Sequence, residues 1–140
     1  MAHQRRERPS VVDEIVKKVG ALGKLEDLSA DDLVEFCDQF GNELKEGDVT
    51  TSQMRKVFNQ IKRMHLEVRS PGSQAAFNPD MVKLLKPKIA YLASREKRLK
   101  PFKRVMDALI DKVRDVQDFD RLADFMEAVI AYHKYYGGRD

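Results

Sequence analysis

Residues 51–69 read TSQMRKVFNQIKRMHLEVR, and their spacing decides the fold class. Met54, Val57, Phe58, Ile61, His65 and Val68 recur three and four residues apart, the period that gathers side chains on one face of an α-helix. The rest of the helix is cationic. At about 100° per residue Arg55, Lys62 and Arg69 nearly eclipse one another, and Lys56 and Arg63 form the row beside them. Each seven-residue step rises by roughly 10 Å, so the stretch predicts a two-faced helix with a core stripe and a track of charge suited to an extended anion.

Outward from this helix, Gly and Pro divide the chain into further segments of the same period. Ser10, with Asp13 three residues on, caps a short helix carrying Val12, Ile15, Val16 and Val19. Ser29 and Asp32 open a second one with Leu33, Phe36, Cys37, Phe40 and Leu44, which stops by Gly47. Asn78 and Pro79 start a fourth through Met81, Leu85, Ile89 and Leu92, where Pro87 forces a kink or a restart. A fifth begins near Pro101 (Phe102, Val105, Met106, Leu109, Ile110, Val113) and a sixth near Asp118 (Leu122, Phe125, Met126, Val129, Ile130, His133). Strand-like alternation is absent. The expected fold is all-α, a compact bundle of five to six helices forming one domain over residues 1–140. Residues 1–9 read as a flexible basic arm, and Ser70 to Ala76 as a flexible loop.

The chain has 140 residues, 42% apolar and 35% charged, enough for a modest core beneath a densely charged surface. Its apolar runs are far shorter than the roughly 20 residues of a membrane span, and no apolar segment follows the arginines of MAHQRRERPS. A single cysteine, Cys37, leaves no internal disulfide and fits a reducing, cytoplasmic compartment. The net charge of +3 conceals a segregation: −5 over residues 1–50, +11 over 51–104 and −3 over 105–140. Only Glu67, Asp80 and Glu96 stand against fourteen cations in the middle segment. Polyanions are the natural partners of such a field.

Catalytic and metal-binding patterns are not signalled, so no catalytic residue, metal or cofactor is expected. His3, His65 and His133 lack the i, i+4 spacing of paired ligands; His65 reads as a core or interface residue and Cys37 as a core thiol. Gly20-Ala-Leu-Gly23-Lys24 lacks the strand and the spacing of a phosphate loop. The row Asp107, Asp111, Asp115 and Asp118 reads as a solvated or docking face, since a helix holds such carboxylates apart. In the fourth segment Leu84, Lys88, Tyr91 and Arg95 share a stripe if the helix runs through Pro87, which puts a tyrosine between two cations. Lys62, Arg63 and Arg69 are candidate contacts from helix geometry alone. Without a base-reading Asn or Gln layout, the expected contact is with a nucleic-acid backbone. The alternative is a helical protein-interaction module whose basic face pairs with an acidic partner.

Three strings, TTSQMRKVFNQIKRM (50–64), FNPDMVKLLKPKIAYLASR (77–95) and FMEAVIAYHKYYGG (125–138), resemble the small subunit of type III-A CRISPR-Cas (Csm) effector complexes. The likeness runs from about residue 29 onward. It implies a non-catalytic prokaryotic helical protein, several copies of which line the guide (crRNA) and target RNA of an antiviral complex. Its other implied partners are the backbone and large subunits of that complex. By motif it points to Arg55 and Lys56 of SQMRK, and to Lys86, Lys88 and Arg95 of LLKPKIAYLASR, as RNA contacts. Tyr132, Tyr135 and Tyr136 read as packing residues.

Overall fold

A computed structural model describes residues 10–70 and 76–140. The expected arm 1–9 and residues 71–75 of the expected loop lie outside the described residues. The described chain is all-α: α1 (Val11–Gly20), α2 (Ala30–Glu46), α3 (Thr51–Arg69), α4 (Pro79–Lys83), α5 (Leu85–Arg95), α6 (Lys100–Ile110) and α7 (Val116–Tyr135), with 3₁₀ turns at Leu25–Asp27 and Lys97–Leu99.

The helix starts follow from side chains that satisfy the first free N–H groups. Ser10 Oγ accepts from the Asp13 N–H at 3.2 Å and Ser29 Oγ from Asp32 at 3.0 Å. Thr50 and Gln53 form a reciprocal capping box at the head of α3. The last helix begins two residues earlier than the sequence suggests, at Val116, because Asp115 caps it by accepting from the Asp118 N–H. The segment expected as one helix interrupted at Pro87 is two: the break falls at Leu84, placing Pro87 in the first turn of α5, where a missing N–H costs no hydrogen bond.

The helix α7 runs through the middle, packed against α2 and α3, while α1 lies on α6 and α2, and α5 lies on α6 and α3. Phe40, Phe102, Phe119 and Phe125 are fully buried there with Ile15, Leu44, Met54 and Ile61. Gly41 permits a close approach of α2 to α7: a Cβ there would sit 2.8 Å from the His133 backbone nitrogen and from Tyr132 Cβ. Two buried polar groups tie loops to this core. Asp118 accepts from the Glu26 and Arg114 N–H groups at 2.8 and 2.9 Å, holding the first 3₁₀ turn to the head of α7. His133 donates from Nε2 to the Val49 carbonyl at 2.7 Å, and the Arg139 carbonyl accepts from the Thr51 N–H at 2.8 Å. Satisfied in this way, buried polar groups fix how the elements meet.

Candidate nucleic-acid interface

Because the stripe Met54, Val57 and Ile61 faces the core, the two cationic rows of α3 turn to different neighbours. Lys56, Gln60 and Arg63, spaced by four and three, make one wall of a groove whose other wall is Lys88, Tyr91 and Leu92 of α5. The groove holds about 710 Å³ and has the buried Val57, Leu85 and Ile89 beneath it. A smaller hollow of about 270 Å³ continues it past Lys56 to Gln53, Arg95 and Glu96. Lys88 Nζ donates across the groove to Gln60 Oε1 at 2.8 Å. Arg95 Nη1 donates to the Tyr91 hydroxyl at 3.1 Å, with its guanidinium carbon 5.7 Å from the ring centroid. Among the described residues, no carboxylate lines the larger groove and none is paired with Lys56, Arg63, Lys88 or Arg95.

The other four candidate cations lie elsewhere. Lys62 and Arg69 turn toward α7, into a groove of about 510 Å³ that also contains Asp120, Asp124 and Glu127. There Arg69 grips both oxygens of Asp120, which also accepts from His65 Nε2 at 2.7 Å, and Lys62 lies 5.5 Å from the Phe58 ring centroid. Burial raises the pKa of Asp124 in this groove, and the neighbouring Arg121 only partly offsets it. His65, expected as a core or interface residue, is partly buried, with its ring 5.7 Å from that of Phe119. Lys86 is ion-paired to Asp111. Arg55 lines neither groove; its charge adds to the hydrogen bond from Lys134 that chiefly holds Asp140 below the usual carboxylate range. The structure thus brings together Lys56, Arg63, Lys88 and Arg95, and separates Arg55, Lys62, Arg69 and Lys86 from them.

Gln60 and Asn59, which also line the larger groove, were not visible as site residues in the sequence. The available signal was Gln60's place between Lys56 and Arg63 on one helical row. Of the three tyrosines near the end, Tyr136 is bound to Asp38 and Tyr132 packs on the core, but Tyr135 is exposed.

The acidic row is divided among separate contacts. Lys103 engages Asp107, Lys86 engages Asp111, and Lys24 engages Asp115 at 2.6 Å. Among the described residues, Glu26, Asp115 and Asp118 are the carboxylates grouped closely enough to suggest a cation. Lys24 Nζ already sits 2.7 Å from Glu26 between them, and its pKa is raised first by Asp115 and then by Glu26. Burial pushes the pKa of the Cys37 thiol up, and the thiol, 3.5 Å from the Phe125 carbonyl, stays protonated and a poor nucleophile.

Fold and groove together define a small all-α bundle with a cationic cleft between α3 and α5. Residues 27–139 match the family described as Csm2 Type III-A. Over 95 residues the chain is 30% identical to the CRISPR system Cms protein Csm2 of Streptococcus thermophilus, a match covering 66% of this chain and 76% of that protein. The chain belongs to the Csm2 type III-A family and is a small subunit of a type III-A Csm complex. No solved structure matches it significantly. No helix among the described residues is long and apolar enough to cross a membrane.

Proposed function

We propose that this chain is a non-catalytic RNA-binding subunit of its complex, contacting the crRNA–target RNA duplex through backbone phosphates and stabilising the assembled filament. The observation that carries this reading is the convergence of Lys56, Arg63 and Lys88 on one groove without a carboxylate among its described lining, with Arg95 in the hollow that continues it. Cations spaced along two antiposed helix rows suit a phosphate chain and carry no base code of their own. Arg55 and Lys62 add positive charge elsewhere on α3, whereas Arg69 and Lys86 are already ion-paired with Asp120 and Asp111. The acidic cleft between α1 and α2, bordered by Glu14, Glu43 and Glu46, suits docking on the backbone or large subunits or on further copies of the chain.

RNA titration of the parent and of the double variant Lys56→Glu, Arg63→Glu tests the reading at one fixed salt concentration. The variant should bind far more weakly, and equal binding would reject the groove as the RNA surface. The purified protein should leave RNA and DNA intact with or without a divalent metal. Metal-dependent cleavage abolished by Asp111→Ala would overturn the non-catalytic assignment.

A further inference from the structure

The rim cations of the α3/α5 groove account for phosphates, but the interior asks for a different ligand group. Beneath the rim the surface is apolar: Val57, Leu85 and Ile89 are buried, Leu92 is partly so, and the Tyr91 ring stands 60% exposed. A phosphate track gains nothing from an exposed aromatic over an aliphatic floor, whereas a nucleobase has a π-face to lay on it. Arg95 steadies the ring through the contact to its hydroxyl. Gln60 and Asn59 line the same space with amides. Since Gln60 Oε1 already accepts from Lys88, its NH₂ group is left to donate to a base edge.

We propose that the groove seats one unstacked nucleobase of the bound RNA on Tyr91, edged by the Gln60 and Asn59 amides, with the flanking phosphates on Lys56, Arg63, Lys88 and Arg95. The inference rests on the RNA-binding reading above and deepens it from a backbone contact to a base-sized subsite. The charge at the rim and the apolar, aromatic interior match the two halves of a nucleotide. Stacking tolerates any base, so the subsite holds position along a strand without reading sequence.

The test titrates the full chain, by fluorescence anisotropy, with a labelled oligouridine and with an abasic ribose-phosphate strand of equal length and charge. Oligouridine is chosen because its bases stack little on one another and so meet the ring freely. The parent should bind the intact strand at least about fivefold tighter, the lower end of what one base–aromatic stack contributes. Tyr91→Leu should remove this gap and Tyr91→Phe should keep it. The ring is exposed, so both variants should melt like the parent. Equal binding of the two strands by the parent, or a gap that survives Tyr91→Leu, overturns the base subsite and leaves the phosphate reading standing. Failure of the parent to bind either strand overturns both.

Discussion

Ile61 and Arg63 stand two residues apart on α3 and should fail in opposite ways. Ile61 is fully buried, so Ile61→Ala deletes core contacts and should cost about 2–5 kcal/mol of stability, with RNA binding intact in the folded fraction. Arg63 is exposed on the groove wall, so Arg63→Glu should change stability by no more than about 0.5 kcal/mol while weakening RNA binding. A thermal melt beside an RNA titration for both variants separates the faces; an unfolded Arg63→Glu protein would refute the separation. At Gly41 two effects oppose. Alanine improves helix propensity by about 1 kcal/mol, but its Cβ would meet the backbone of α7 at 2.8 Å, and overpacking costs about 1–3 kcal/mol. Since the obstacle is main chain, packing should win and Gly41→Ala should lower the melting temperature. The sequence displays Gly41 only as a glycine inside a helical pattern, because the reason for it lies on α7, some ninety residues downstream. Ile61 and Arg63 were legible for the converse reason: burial and charge at those positions follow from the period of one helix.

The faces of α3 carry the distinction one level up. Helical spacing separates its apolar stripe from its cations and also separates the two cationic rows, but it does not say which neighbouring helix flanks each row. With α5 on one flank and α7 on the other, one row meets a groove without described carboxylates and the other meets Asp120, Asp124 and Glu127. Counterion release makes this measurable. Lys56→Ala or Arg95→Ala should each flatten the salt dependence of RNA binding by about 0.7–0.9 in log–log slope. Arg69→Ala and Lys86→Ala should flatten it less, because Asp120 and Asp111 already neutralise those charges. Equal slope changes across the four variants would refute the division. Pro87 illustrates the same limit. Its sequence announces an interruption, yet the chain places the break at Leu84, where the proline becomes a first-turn residue and α5 can carry Lys88, Tyr91 and Arg95 on one stripe.

Across the whole molecule, ion pairs close the bundle between distant segments, and pH should expose them. The hydrogen bond from Lys24 holds the pKa of Asp115 below its usual value, helped by the Asp118 N–H. A lowered folded-state pKa gives stability that is present above the unfolded carboxylate value, about 3.9, and is lost as pH falls through the folded one. Melts of the parent and Asp115→Asn should therefore differ at pH 7 and converge below roughly pH 3. The pair is more than a third exposed, so the difference should be small and shrink with salt. A gap unchanged in acid would reject the pairing. The all-α class was legible from periodicity alone, but the pairing of α2 with α7 was not, since periodicity names a face and never its partner.

That central position of α7 also sets an order of events in time. Helices nucleate locally within about a microsecond, but Cys37 meets Phe125 across 88 residues and Tyr136 meets Asp38 across 98. A chain still growing on the ribosome would hold finished helices with Phe40, Leu44, Met54 and Ile61 uncovered until α7 had been made. Despite its helical content, the protein should fold at a pace set by long-range closure.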